Sequence, residues 1–214
     1  SVASRGLGDV YKRQGEIVRP VTWSKDRNKV VLSVSSSSNP GDFYYFDKEN
    51  MILTFLWDSS PWIDRAKLAK KTPIKYTARD GLVIHGYLTI PLGTSGKNLP
   101  MVVHPHGGPN VRDTIGYDTY VQFLASRGYA VFQPNFRGST GYGAYHYISA
   151  NKQFGKTMQD DITDGVNYLI DQGVADPDRI AIFGGSYGGY ATMAGLTFTP
   201  DLYAAGTVSY THLR

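Results

Sequence analysis

Residues 179–190 read Arg-Ile-Ala-Ile-Phe-Gly-Gly-Ser-Tyr-Gly-Gly-Tyr, an apolar run that leads directly into the sequence Gly-Gly-Ser-Tyr-Gly at 184–188. A stretch compatible with a helix, Tyr190 to Leu196, follows it. A strand, then Gly-x-Ser-x-Gly, then a helix is the pattern of a nucleophile elbow, a sharp turn that presents a serine above the edge of a sheet. The stretch therefore predicts an α/β fold with Ser186 at the end of a buried strand.

Ser186 is the candidate nucleophile, and its neighbours suit that role. Glycine at 184 and at 188 is needed because the turn is tight, and a side chain there would collide with the neighbouring strand and helix. The backbone N–H of Tyr187 would point to the place where an oxyanion forms. A bare Gly-x-Ser-x-Gly match is weak in a chain with 24 glycines, and an ordinary turn is the alternative. The flanking strand and helix favour the nucleophile.

The two ends of the chain are related at the level of DNA. Residues 7–14 and 208–214 can be encoded by opposite strands of one inverted DNA element, which resembles the transposon-type adapter of sequencing libraries. The alternative is coincidence helped by free codon choice. We expect 1–14 and 208–214 to be non-native and 15–207 to be a fragment, so His212 is not a candidate catalytic residue.

Charge and composition exclude several kinds of partner. The chain has 22 Lys and Arg against 18 Asp and Glu, a net charge of +4, and the end segments hold Arg5, Lys12, Arg13, Arg214 and Asp9. Without them the counts are 18 and 17 and the net charge is +1, so we expect no nucleic-acid or membrane partner. Cysteine is absent, which excludes disulfides and thiolate metal sites in this segment. No apolar run approaches the roughly 20 residues that span a bilayer.

Residues 15–70 have the pattern of antiparallel β-structure. Three strands are predicted, at Val30–Val34, Phe43–Phe46 and Met51–Leu56, with turns at Asn39–Asp42 and Asp47–Asn50. Short strands separated by turn residues indicate a β-meander or one blade of a propeller. Such a unit cannot bury its faces alone.

From about residue 71 strands alternate with helices, which predicts βαβ units and a mostly parallel sheet with flanking helices. In such a sheet the chemistry belongs at the carboxyl ends of the strands, where three glycine-bearing segments fall: 106–109, 135–139 and the serine turn. The predicted strands are Thr72–Ala78, Leu82–Ile90, Leu99–Val103, Tyr129–Phe132 and Ile180–Phe183, the helices are Thr119–Ser126 and Met158–Asp171, and the turns are Arg79–Gly81 and Asp176–Asp178.

The segment His106-Gly-Gly-Pro109 follows the strand Leu99–Val103. Gly107 and Gly108 would let the backbone come close to a substrate, so that a main-chain N–H joins that of Tyr187 in an oxyanion hole. The alternative is an ordinary turn after a strand, and the serine turn downstream favours the functional role. Neither histidine of this region has the spacing of a metal ligand, and we predict no metal and no cofactor.

Arg137 lies in the next glycine-bearing segment. It could bind a substrate carboxylate, but we expect it to organise the loop by pairing with an acid such as Asp160 or Asp161. These two residues and Asp164 cluster near the start of a helix, where carboxylates interact favourably with the helix dipole and cap free N–H groups.

Six motifs follow one another along the chain: Tyr76–Gly81, Gly86–Pro91, His106–Pro109, Asn135–Gly143, Asp176–Arg179 and Gly184–Tyr190. In order and in spacing they resemble the prolyl oligopeptidase family of serine peptidases, most of all its acylaminoacyl-peptidase and dipeptidyl-peptidase-like branch. The resemblance covers essentially all of 15–207.

The resemblance implies a β-propeller followed by an α/β-hydrolase domain. Residues 15–70 would be the terminal part of the propeller and 71–207 the N-terminal part of an incomplete catalytic domain. Ser186 would be the nucleophile, and Tyr187 with Gly107 or Gly108 would donate the oxyanion N–H groups.

In that family the catalytic Asp and His follow the serine, roughly 80 residues past it and some 30 further on, and the three aspartates at 160–164 precede it. We therefore expect the triad Asp and His to be absent from the chain, the chain as written to be inactive, and the strand that carries Ser186 to have an open edge.

The expected activity of the parent protein is hydrolysis of short peptides through an acyl-enzyme on Ser186. A homo-oligomer is compatible with the sequence, and the compartment stays open, with the cytoplasm slightly favoured. Two alternatives are a carboxylesterase or lipase of the same fold and a non-catalytic binding protein of hydrolase fold. The β-segment before residue 71 argues against the first, and the intact serine turn argues against the second.

Overall fold

Two separate sheets organise the chain. The computed structural model describes residues 16–209, and the chain divides into one unit that runs to Leu68 and includes 116–122, and a second that contains 69–115 and continues from 123. The first unit holds a four-stranded sheet and the second a six-stranded sheet.

The sheet of the first unit is an antiparallel meander in the order β1-β2-β3-β4, as the sequence predicted. Two details were wrong. The first strand was not foreseen, and Asn39–Asp42, predicted as a turn, lies inside the third strand, where Asp42 pairs with Val34 and with Asp58. The strands are β1 (Ile17–Trp23), β2 (Lys29–Ser36), β3 (Asn39–Asp47) and β4 (Ile52–Asp58).

A buried ion pair fixes the start of β3. Asp42 is 4% exposed and accepts two hydrogen bonds from the Arg65 guanidinium, at 2.9 and 2.6 Å. Arg65 also pairs with Asp58 at 2.6 Å. A planar guanidinium that bridges two carboxylates suits such bidentate geometry, so residues far apart in the sequence hold the ends of β3 and β4 together.

The outer strand β4 leaves large apolar side chains exposed, among them Ile52, Phe55, Leu56 and Trp57. A sheet with uncovered apolar faces fits the expectation that this unit does not bury its faces alone. Its assignment to the end of a β-propeller stays a prediction.

The sheet of the second unit is mixed, in the order β10-β9-β7-β8-β6-β5. The four strands from β10 to β8 run parallel, β6 pairs antiparallel with β8, and β5 pairs antiparallel with β6. This confirms the predicted α/β class with a mostly parallel sheet. The strands are β5 (Lys71–Thr77), β6 (Val83–Thr89), β7 (Leu99–Val103), β8 (Ala130–Asn135), β9 (Ala175–Gly185) and β10 (Ala205–Ser209).

Three of the four α-helices in the described residues were predicted. They are α1 (Thr119–Ala125), α3 (Thr157–Asp171) and α4 (Tyr187–Phe198), and the short α2 (Ala144–Ile148) was missed. The predicted turn at Asp176–Asp178 was wrong, because these residues lie within β9 where its pairing with β7 shifts register between Leu99 and Met101. None of the helices in residues 16–209 combines the length and the apolarity that crossing a membrane requires.

The predicted open edge on β9 was also wrong. β10 pairs with β9 in parallel over five residues, from Ala205 opposite Ala181 to Ser209 opposite Gly185. Val208 and Ser209, predicted to be non-native, are thus part of this strand, and the rest of that predicted segment, 210–214, lies outside the described residues together with 1–15.

The helix α3 covers the sheet with one apolar stripe. Met158, Ile162, Val166 and Leu169 recur at helical spacing and are all buried. At Gly165 the helix comes so close to the sheet that an added Cβ would lie 2.5 Å from the Phe132 ring and 2.6 Å from the Tyr76 hydroxyl. Glycine is therefore a packing requirement at this position.

We expect Gly165→Ala to lower the free energy of unfolding by about 1–3 kcal/mol, because overpacking outweighs the better helix propensity of alanine. Urea unfolding followed by circular dichroism measures it. Asn167→Ala, an exposed position on the same helix, is the control and should be neutral or slightly stabilising. A Gly165→Ala variant as stable as the parent would contradict this packing.

Candidate active site

Ser186 lies at the junction of β9 and α4. β9 ends at Gly185 and α4 begins at Tyr187, so Ser186 alone makes the turn. Its backbone has φ 54° and ψ −122°, a left-handed conformation that costs a non-glycine residue about 1–3 kcal/mol. The residue is exposed while its neighbours on both sides are buried or half-buried. The turn therefore holds the hydroxyl outward at the carboxyl end of a parallel strand.

The two predicted elbow glycines have no room for a side chain. A Cβ on Gly184 would overlap the carbonyl group of Gly188, and a Cβ on Gly188 would overlap the carbonyl oxygen of Pro105. Each closest atom is backbone, so it cannot swing away as a side chain could. The sharp turn thus depends on glycine at both positions.

The predicted oxyanion donors are placed around Ser186. A Cβ on Gly107 would lie 3.4 Å from the Ser186 Cβ and 3.9 Å from its Oγ, so this loop passes directly beside the hydroxyl. Tyr187 is the first residue of α4, where N–H groups have no partner within the helix. Among residues 16–209, no turn or loop hydrogen bond uses the amides of Gly107 or Gly108. These two N–H groups thus have no main-chain hydrogen bond in the described residues.

The side chain of Tyr187 points away from that site. It is 6% exposed, lies 5.2 Å from the ring of Phe136 and 4.9 Å from that of Phe154, and its hydroxyl contacts the sulfur of Met158 at 3.7 Å. Burial raises the pKa of this hydroxyl well above its usual value. The buried ring thus anchors the start of α4.

His106 is a fixed part of the loop rather than a proton carrier. Its Nδ1 lies 2.7 Å from the carbonyl oxygen of Gly107. Its Nε2 lies 2.8 Å from the hydroxyl of Ser139, and the ring stacks on Phe136 at 4.4 Å. Burial lowers the pKa of His106 to about 4, so the ring is neutral near pH 7.

Arg137 has the structural role that the sequence favoured. Its guanidinium and its own N–H all donate to Asp161, at 2.7–2.8 Å, and Nη1 pairs with Asp80 at 2.7 Å. Asp160, the other predicted partner, pairs with Arg79 at 2.9 Å instead, as does Asp164 at 2.7 Å. Asp80 was not foreseen as a partner.

The expected capping role of the three aspartates was wrong. The residue that precedes α3 is Lys156, and no side chain caps this end of the helix. Asp161 and Asp164 turn instead toward Arg137 and Arg79. The competing attraction of two guanidinium groups decides their orientation.

Ser139 is a residue of the site that sequence reasoning did not single out. Its hydroxyl lies 2.8 Å from the Nε2 of His106 and 2.7 Å from the carbonyl oxygen of Phe136. The motif Asn135–Gly143 was recognised, but nothing in it indicated a hydrogen bond to a residue 33 positions away. Ser139 follows β8, the neighbour of the strand β7 that precedes His106. Its position at the shared carboxyl edge of the sheet is the signal that could have found it.

No histidine or carboxylate in the described part of the chain is hydrogen-bonded to the Ser186 hydroxyl. In residues 16–209 the Ser186 hydroxyl forms no hydrogen bond to another residue, and the Nδ1 of His104 lies 2.7 Å from the carbonyl oxygen of Phe183. Over the same residues no three His, Asp or Glu side chains are grouped to hold a metal ion. Among these residues Ser186 is thus an exposed hydroxyl without a hydrogen-bonded histidine or carboxylate.

Comparison with known proteins places this geometry in a family. Residues 115–212 match the model of the prolyl oligopeptidase family. The chain is 40% identical to dipeptidyl aminopeptidase BIII of Pseudoxanthomonas mexicana over 192 residues. This aligned stretch covers 86% of the chain and 28% of the relative. It is 33% identical to dipeptidyl peptidase family member 6 of Caenorhabditis elegans, over 87% of the chain and 28% of the relative.

Solved structures show the same fold. A puromycin hydrolase superposes with a TM-score of 0.73 at 30% identity, over 85% of this chain and 28% of the other. The acylaminoacyl peptidase of Pyrococcus horikoshii superposes with a TM-score of 0.70 at 28% identity, over 85% of this chain and 30% of the other. The predicted α/β-hydrolase fold is thus confirmed, and the chain spans little more than a quarter of the length of these relatives.

The strain at position 186 predicts an inverted order of stability between two variants. Ser186→Gly should be more stable than Ser186→Ala by about 1–2 kcal/mol, because only glycine relieves the positive φ. At an ordinary position glycine is the less stable of the two. Urea unfolding of both variants measures the difference, with the Gly and Ala variants of exposed Ser95 as controls in the usual order. The usual order at 186 would show that this backbone is relaxed.

The ion pairs predict unequal effects of two arginine substitutions. Arg137→Ala leaves the fully buried carboxylate of Asp161 without its partner and should cost about 3–5 kcal/mol of stability. Arg79→Ala removes an arginine that also bridges two aspartates but is 54% exposed, and should cost less than about 1 kcal/mol. Equal losses in urea unfolding would contradict this assignment.

Proposed function

Because the chain belongs to the prolyl oligopeptidase family, we propose that the whole protein is a serine peptidase that hydrolyses short peptides through an acyl-enzyme on Ser186. The observation that carries the proposal is the strained and exposed Ser186, enclosed by two glycines that have no room for a side chain. Such strain is costly to keep and is concentrated at functional sites.

The proposed reaction begins with attack of the Ser186 oxygen on the carbonyl carbon of a peptide bond. The serine proton passes to a general base, and the carbonyl oxygen becomes an oxyanion that accepts hydrogen bonds from the N–H of Tyr187 and from that of Gly107 or Gly108. The tetrahedral intermediate collapses, the amine leaves with the proton from the base, and the acyl group stays on Ser186. Water then attacks this ester and releases the acid.

The histidine base and its orienting aspartate are proposed to come from other parts of the whole protein. His106 is unsuitable because both of its ring nitrogens are engaged and burial depresses its pKa to about 4. The 214-residue chain by itself should therefore be inactive, since an unassisted serine hydroxyl is a weak nucleophile.

The substrate class follows from the named relatives. They include a dipeptidyl aminopeptidase and several acylamino-acid-releasing enzymes, names that describe removal of a short N-terminal unit. We propose the same for this protein, and we propose that residues 15–70 end a β-propeller that limits access to short peptides. The sheet of the first unit, with its exposed apolar faces, supports this role.

The test uses the full-length protein, its Ser186→Ala variant and the 214-residue chain. The full-length protein should react stoichiometrically with a fluorophosphonate and cleave dipeptidyl or acyl-aminoacyl amides, and Ser186→Ala should lower kcat by at least about 10³-fold. The short chain should be labelled far more slowly. Ser95→Ala, an exposed loop serine, is the control and should change nothing.

Two results would overturn the proposal. Amide hydrolysis that survives Ser186→Ala would exclude this residue as the nucleophile. Turnover of 4-nitrophenyl esters with no turnover of any peptide amide would favour an esterase. Fast stoichiometric labelling of the short chain would contradict its predicted inactivity and leave the nucleophile intact.

A further inference from the structure

A second concave site lies beside β6, which two intervening strands, β7 and β8, separate from β9 in the sheet of the second unit. It is a cavity of about 480 Å³, in the range of small-molecule sites. Its lining comes from the turn between β5 and β6, from β6, and from the segment 142–146 at the start of α2: Asp80, Gly81, Leu82, Val83, His85, Tyr142, Tyr145 and His146. We call it the Asp80 cavity. It includes no residue assigned to the peptidase reaction.

The walls of the cavity are largely aromatic. His85 stacks on Tyr142 at 4.7 Å with an interplanar angle of 11°, and His146 lies 5.2 Å from the same ring. Tyr145 is 77% exposed, and Val83 is also exposed. His85 and Arg112 cover the Tyr142 ring, so Tyr145 is the ring that offers flat surface to a ring-bearing ligand.

The electrostatic surroundings of the cavity are negative. Arg137 bridges Asp80 and Asp161, and Arg79 bridges Asp160 and Asp164. Two arginines thus face four aspartates, an excess of two negative charges. Arg112, near the Tyr142 ring, adds one positive charge that the adjacent Asp113 offsets.

Asp80 is the carboxylate that this network presents to the cavity. Its side chain is 41% exposed, whereas that of Asp161 is fully buried. The hydrogen bond from Arg137 lowers the pKa of Asp80, so it is ionised at neutral pH. Besides Arg137 it accepts a hydrogen bond from the N–H of Leu82 at 3.2 Å, which leaves part of its acceptor capacity unused. Burial lowers the pKa of His146, which therefore adds no positive charge.

We propose that the Asp80 cavity binds an organic ammonium ion joined to an aromatic ring, with the ammonium at the Asp80 carboxylate and the ring against the exposed ring of Tyr145. The carboxylate attracts the ammonium, and the tyrosine ring packs against the aromatic ring of the ligand. The ligand is either a free arylalkylamine or the amino terminus of a peptide that begins with an aromatic residue.

The first test is calorimetric titration of the 214-residue chain at low ionic strength. Tyramine should bind with a stoichiometry of one and about tenfold more tightly than 4-ethylphenol, which has the same ring and carbon chain without the amine. Added salt should weaken tyramine alone. A Tyr-Gly-Gly amide that binds as tightly as tyramine would identify the ligand as a peptide amino terminus, and weaker binding would identify a free amine.

The second test assigns binding to this cavity. Asp80→Asn should weaken tyramine about tenfold and Tyr145→Ala about fivefold. Tyr145→Ala changes an exposed side chain outside the ion-pair network, so it tests the site even where Asp80→Asn unfolds. The matched controls are Asp171→Asn, an exposed carboxylate elsewhere, and Tyr147→Ala, on the same helix but not in the lining.

Three results would overturn the proposal. They are equal binding of tyramine and 4-ethylphenol, no binding of tyramine at millimolar concentration, and an affinity for tyramine that Tyr145→Ala leaves unchanged. A loss of affinity in the two control variants as large as in the test variants would also overturn it.

Discussion

Backbone packed against backbone on both sides of Ser186 is the constraint on which the site depends. A side chain at 184 would overlap the Gly188 carbonyl, and one at 188 would overlap the Pro105 carbonyl. The same closeness that excludes side chains brings the loop with Gly107 beside the serine hydroxyl. The loop that leaves no room for a side chain at 188 thus also lies beside the Ser186 hydroxyl, so the strained turn and the loop with Gly107 pack as one unit.

Local sequence predicted those elements whose stability is local. The strand Leu99–Val103 and the helix that ends at Asp171 were located within one residue, because apolar periodicity identifies them. β10 was missed because Ala205–Ser209 is short, carries small side chains and exists only through pairing with β9. Asn39–Asp42 has the composition of a turn, yet pairing on both sides and the ion pair with Arg65 make it a strand. Tertiary contacts overrode local preference in each case.

The residues of the candidate site likewise fall into those that local sequence identifies and those that only tertiary contacts identify. Ser186, Tyr187 and the glycines at 107, 108, 184 and 188 were found because a tight turn next to a substrate needs those residue types, and their catalytic roles stay predictions. Asp80 and Ser139 were not found, because their roles depend on partners 57 and 33 positions away. A hydrogen-bond network between loops leaves no periodic signal in a sequence. Its members become visible only once the sheet brings the strand ends together.

The neutrality of His106 has a consequence for how this protein would respond to acid. An unfolded chain takes up a proton on this imidazole near pH 6.5, but the folded loop does not until about pH 4. Between those values acid favours the unfolded state, so stability falls there by linkage. Above that window the imidazole of His106 carries no charge, so its contribution to the electrostatic potential around Ser186 does not change with pH.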